Sequence, residues 1–271
     1  MLATEVPILK APEDKRLARL RDRRTWLPFI GPLLLIAAWY LLVESQFVNP
    51  ILLPGPGPTL AHLWSSTMSG ALTVDFLMTL NRTVQAFLIA TVIGVPLGVA
   101  LGSSESLYRS VEFLIDFFRS TPSSALIPLF MLIFGISDFN KIAISAFAAV
   151  LVIIFNSAYG VMNAKRTRIM AAKVMGASRL QIFRDVLLWE SLPQTFVGLR
   201  SGISLALVIV VVAEMFIGSE NGLGQRIINA QQVMNVREMY ASILAAGILG
   251  YLLNVLFLLL DKRVVHWSGR A

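Results

Sequence analysis

The chain has 271 residues, 56% of them hydrophobic and only 14% charged, with a mean hydropathy of +0.72 and a formal net charge of +7. A soluble domain carries roughly a quarter of its residues as Asp, Glu, Lys and Arg, so this much apolar side chain exceeds one soluble core and lipid is the expected solvent. The absence of cysteine excludes disulfides, thiolate metal sites and a cysteine nucleophile, and the basic excess sits between apolar runs, where it reports topology instead of nucleic-acid binding.

Residues 1–26 form a basic arm carrying Lys10, Lys15, Arg16, Arg19, Arg21, Arg23 and Arg24. The stretch Glu13 to Arg24 has the pattern of a cationic helix resting near anionic headgroups. A membrane domain is expected over 27–263 and a short tail over 264–271. Crossing the hydrocarbon takes about 20 apolar residues of helix, and six candidate spans satisfy or approach this: Leu27–Val43, Val84–Leu101, Leu126–Ile136 with the preceding turns, Ile142–Met162, Gly198–Ile217 and Tyr240–Leu260. The first lacks a small-residue cleavage site and reads as a retained anchor. Asn49 to Pro58 is so rich in proline and glycine that it reads as an extended connector. Pro122 should break a helix arriving from Val111, leaving Val111–Arg119 near the interface or inside the protein. Gly94, Gly98 and Gly102, and again Gly198 and Gly202, form faces that allow close helix approach. A short helix is expected from Gln225 to Val233.

Lys and Arg are concentrated in the arm, around Arg109 and Arg119, in the connection after Met162 and in the tail, whereas the alternate connections hold only Lys141, Arg226 and Arg237. This asymmetry places both termini in the cytoplasm. The connection at about 164–193 is expected to be ordered. Residues up to Met175 suit a helix, which Gly176 ends in a left-handed conformation. Ser178 then caps a second helix, with Gln181 completing a capping box, and Leu180, Phe183 and Leu187 recur at helical spacing.

Ala171-Ala172, then Gly176-Ala177-Ser178, Phe183, Val186 and Pro193 resemble the EAA loop of ABC-importer permeases. The flanks are similar to the nitrate/sulfonate/taurine-type family: Leu53-Pro54-Gly55-Pro56, Arg119-Ser120-Thr121-Pro122, Gly198-Leu199-Arg200, Ala213-Glu214-Met215 and Gly222-Leu223-Gly224. Two positions depart from the pattern. Met170 stands where the loop usually has glutamate, and Trp189 where proline is usual. The resemblance implies the all-α type I ABC importer permease fold in a bacterial inner membrane. It implies a coupling helix, assigned to Ala171, Ala172, Met175, Gly176, Ala177, Ser178, Leu180 and Phe183, that docks on separate ATPase subunits. Those subunits would bind ATP and Mg, leaving this chain without a cofactor and without catalysis. A second permease copy in a homodimer, an extracytoplasmic substrate-binding protein and surrounding lipid complete the implied partners. The implied cargo is a small anion such as a sulfonate, taurine or nitrate, moved by alternating access.

Arg82, Asp116, Arg119, Arg200 and Glu214 fall in or beside apolar runs, where an ionised group must be paired or wetted. Arg82, Arg119 and Glu214 are candidates for the pathway or for an intramembrane ion pair. No phosphate-binding G-x-x-x-x-G-K-[ST] motif occurs, so the energy source is expected in trans. An ion-coupled secondary transporter is the alternative, disfavoured by the lack of an internal repeat. An intramembrane enzyme finds no Ser/His, Asp/Asp or metal-ligand constellation, with His62 and His266 the only histidines.

Overall fold

A computed structural model describes residues 23–49 and 51–266, and every regular element among them is helical. The basic arm through Asp22, Pro50 and the tail from Trp267 lie outside the described residues, and with them most of the expected cationic helix. The chain divides into a unit ending at Thr59 and a larger one beginning at Leu60.

In the first unit, helix α1 (Arg23–Glu44) is followed by turns and by the start of α2 (Pro56–Met68). The Trp39 Nε1–H donates to the Pro54 carbonyl at 3.0 Å, drawing the connector back onto the helix. The stretch before Gly55 is not the expected extended connector, because the Leu52 and Leu53 N–H groups donate to the Asn49 carbonyl at 2.8 and 3.1 Å and close a turn. Pro56 and Pro58 instead occupy the first turn of α2, where the missing N–H groups would have had no helical partner anyway.

The larger unit is built on three long helices: α3 (Ala71–Gly102), α6 (Asp138–Met162) and α9 (Leu188–Ile217). Between α3 and α6 lie α4 (Glu105–Ser120), a 3-10 turn (Ser123–Leu126) and α5 (Ile127–Phe134). Ser104 caps α4 by accepting from the Leu107 N–H, and the chain turns by 89° at Thr121-Pro122. The break is where Pro122 forces it, although α4 begins six residues before the expected Val111. After α6 come α7 (Arg166–Val174), α8 (Arg179–Ile182), a π-helical turn (Phe183–Leu187), α9, α10 (Leu223–Gln232) and α11 (Val236–Val264).

Four helical runs are long and apolar enough to cross a membrane: α3, α6, Arg179–Ile217 and α11. The bent pair of α4 with Ser123–Phe134 makes a fifth when taken as one span. The first expected span, Leu27–Val43, falls within α1 (Arg23–Glu44), whose apolar stretch is described from Ile30 to Glu44. Several expected spans start too late in sequence: α3 begins at Ala71, α6 at Asp138 and α11 at Val236, because Asp75 and Arg82, Asp138 and Lys141, and Glu238 lower a hydropathy average over these early turns although each is paired.

Helix α6 is the central element. Gly94, Gly98 and Gly102 of α3 press onto Ile153, Ile154, Ser157 and Ala158, while Gly198 and Gly202 of α9 press onto Asn156 and Ile153. Both glycine faces thus serve packing within the chain. Around them Ala86, Ala90, Ala149, Ile153, Ala206 and Leu249 form a core with little room for larger groups.

A Cβ at Gly98 would sit 2.6 Å from the Ile154 carbonyl oxygen, whereas one at Gly247 meets nothing within 4 Å. Gly98→Val should therefore destabilise the purified protein by about 1–3 kcal/mol, while Gly247→Ala should stay within about 1 kcal/mol of the parent. Thermal unfolding in detergent checks the pair, and equal melting of both variants contradicts the packing assignment.

Candidate functional site

Two polar assemblies stand at opposite ends of α9. The first gathers side chains that are far apart in sequence. Glu214, 0% exposed, accepts from the Arg82 Nη1–H at 2.7 Å and from the Gly224 N–H at 2.9 Å, and the Thr79 hydroxyl lies 2.9 and 3.0 Å from its two oxygens. Arg82, 3% exposed, also donates to the Asn221 carbonyl at 2.7 Å and to Asp138 at 3.1 Å. Lys141 closes the far side, donating to Asp138 at 2.9 Å and to the Ser219 hydroxyl at 3.2 Å.

The start of α10 is held by the same group. The N–H groups of Gly222, Leu223 and Gly224 donate to Asp75, Thr79 and Glu214 at 2.8, 2.8 and 2.9 Å. Those donors have no partner within the helix, and two carboxylates at the positive end of its dipole satisfy them. Gly222 has φ of 144°, and a Cβ there would lie 2.5 Å from the Glu214 carboxyl carbon. The position therefore requires glycine twice over, for conformation and for space. Arg226 then bridges Asp75, at 2.9 Å, and Glu238, which also meets His62. Burial opposes the charge on Arg226, but its hydrogen bonds to Asp75 and Glu238, with their charges, raise its pKa above the ordinary guanidinium value. It is a permanent cation.

The second assembly is the connection between α6 and α9. The Gly176 N–H donates to the Lys173 carbonyl and the Ala177 N–H to the Ala172 carbonyl, both at 3.0 Å, with Gly176 at φ 80°. This is a Schellman stop, for which glycine is the natural residue. Ser178 and Gln181 form the reciprocal capping box, at 2.7 and 3.3 Å. The element after the corner is not a separate helix. It runs through the π turn directly into α9, because no breaker intervenes, so the fifth expected span begins well before Gly198. On the expected face Leu180 is 75% exposed and Leu187 half-buried, and Ile182, beside that face, is buried. Ala172 is buried as well; Ala171, Met175, Gly176 and Ser178 are exposed, and Ala177 and Phe183 are half-buried. Met170, Val174, Met175 and Leu180 make an outward apolar tip. Arg168 pairs with Glu190, tying α7 to the base of α9.

Arg82 and Glu214 thus meet across α3 and α9. Arg119 is elsewhere, on α4, with its guanidinium 3.9 Å above the Phe155 ring. Arg200 donates to Asn254 at 2.6 Å. Sequence reasoning missed Asp75, Thr79, Asp138, Lys141 and Glu238. The available signal was the spacing of Asp75, Thr79 and Arg82, which share one helical face.

Residues 90–267 match the family described as binding-protein-dependent transport system inner membrane component. The chain belongs to that family. It is similar to a "probable ABC transporter permease protein" of Brucella abortus (strain 2308), with 32% identity over 87% of this chain and 93% of that one. It is also similar to the taurine transport system permease protein of Escherichia coli (strain K12), with 29% identity over 89% and 90%. A chain of the inward-facing MetNI methionine ABC transporter superposes with a TM-score of 0.62 and 26% identity, over 73% of this chain and 97% of that one. The protein is accordingly a multi-pass inner-membrane permease subunit of an ABC importer, with the type I fold.

Arg82→Ala leaves the Glu214 carboxylate buried without its cation and should cost about 3–5 kcal/mol. Arg82→Met combined with Glu214→Leu should recover most of that loss. Melting of the detergent-purified variants tests this, and a double variant no better than Arg82→Ala speaks against the pair as the dominant interaction.

Proposed function

We propose that this permease works as one of two identical copies. In this reading separate ATPase subunits bind ATP and Mg, and both termini face the cytoplasm, as the distribution of Lys and Arg supports. The clamp around Glu214 then lies at the extracytoplasmic end, where a substrate-binding protein delivers cargo, and the Gly176 corner lies in the cytoplasm. Lipid surrounds the exposed apolar helix faces. This chain carries out no hydrolysis itself.

The observation that carries the coupling role is the build of the corner. An apolar tip of Val174, Met175 and Leu180 projects from a rim holding Lys173, Arg179 and Arg184. Its backbone is fixed by a Schellman stop and a capping box, and it continues without a break into α9. A partner with an apolar cleft and an acidic edge fits such a tip. Displacement of the tip is transmitted to α9 because nothing between them bends freely. Met170 presents a thioether where the family usually offers a carboxylate, so the contact here is more apolar.

The cargo is a small oxyanion of the sulfonate, taurine or nitrate kind. The overall resemblance and the taurine-system relative support this class, while the binding protein selects within it.

Gly176→Val forces a β-branched residue to φ 80°, at a cost of about 1–2 kcal/mol, and nothing lies near its Cβ to crowd it. Membrane insertion should be normal, while ATP-driven uptake and co-purification with the ATPase are lost. Normal co-purification and uptake in this variant would sink the coupling role.

A further inference from the structure

Helix α4 carries charge in a pattern that a lipid-facing helix cannot hold. Glu105, Arg109, Glu112, Asp116 and Arg119 follow one another at intervals of four, three, four and three residues. At 3.6 residues per turn they fall within about 80° of arc. All five are exposed, whereas Tyr108 and Ile115 are buried beside them and Leu107, Phe113, Leu114 and Phe117 form an exposed apolar face.

The far end of this seam lies at membrane depth. Phe118 stacks edge-on against Phe147 with centroids 5.6 Å apart, and Arg119 sits over Phe155. Phe147 and Phe155 flank the middle of α6, a 25-residue spanning helix. Charges at that depth face a water-filled cavity or an opposite charge. Arg109 has Glu105 at 2.6 Å, but Asp116 reaches Arg119 only at 3.4 Å. A guanidinium stacked on a ring presents its edge donors sideways.

We propose that the charged seam of α4 is the water-facing wall of the translocation pathway, and that Arg119, at the elbow, contacts the oxyanion of the cargo. This rests on the importer reading above. The stack on Phe155 holds the guanidinium in place, and Asp116 moderates its charge so that an anion is met without being trapped.

The chain has no cysteine, so the assembly with the unsubstituted chain supplies the blank for each single-cysteine variant. They are placed at Glu112, Asp116 and Arg119 on the seam and at Phe113, Leu114 and Phe117 on the apolar face. The transporter is assembled with its ATPase in inside-out vesicles and treated with a membrane-impermeant methanethiosulfonate. All three seam positions should react much faster than the three flanking ones. Equal reaction of both faces, or reaction at Glu112 alone, overturns the wall. The cargo contact is read at Ser120→Cys, comparing a sulfonate-bearing with a trimethylammonium-bearing methanethiosulfonate. Arg119→Gln should lower the preference for the sulfonate reagent about ten-fold, Arg119→Lys should retain most of it, and an unchanged preference overturns the contact. Co-purification with the ATPase is measured in every variant, so that a failed seam with intact coupling discards this proposal and leaves the importer reading standing.

Discussion

A guanidinium and a carboxylate shut away from water, Arg82 and Glu214, set the condition that the surrounding helices must meet. Neither is tolerable alone in a low-dielectric interior. Their pairing places α3 against α9 at one register, and the remaining lone pairs and donors recruit Thr79, Asp138 and the first turn of α10. Such a pair contributes little net stability over an apolar substitute. What it supplies is registry, because sliding either helix by one turn would strand both charges.

That registry matters because the three helices it joins are also packed at backbone distance. Gly98 and Gly102 meet the α6 backbone directly, and Gly94, Gly198 and Gly202 press on Ile153 and Asn156, so little compliant volume is left between the helices. Helices in such contact move together. The corner at Gly176 is continuous with α9, so a push delivered there reaches the clamp at the other end of the same helix. On the proposed function, a substrate-binding protein and an ATPase at opposite ends would thus act on one rigid block.

Helix α4 stands partly outside that block. Its buried side chains are few, its far end turns by 89°, and its charged seam remains exposed. A wall with water-facing charges and a proline break can change its exposure while the glycine-packed core keeps its form. On the proposal above the division of labour is physical: close packing transmits force, and an open polar face conducts the cargo.

Much of this was legible from residue order alone. Apolar run length located the membrane helices, the Gly176 stop and the Ser178–Gln181 box follow from local hydrogen-bonding rules, and Pro122 marked the break. These features depend on neighbours within four or five residues. The clamp does not: Asp75, Thr79, Arg82, Asp138, Glu214 and Arg226 come from four helices, and nothing local to Arg82 selects Glu214 over Asp116 as its partner. Hydropathy averages also hid the early turns of α3, α6 and α11, where Asp75 and Arg82, Asp138 and Lys141, and Glu238 count as polar although each is paired. Sequence determined that lipid-spanning helices form and where they stop; only tertiary structure decided which charges neutralise one another, because that choice is made by distance in space and by exclusion of water.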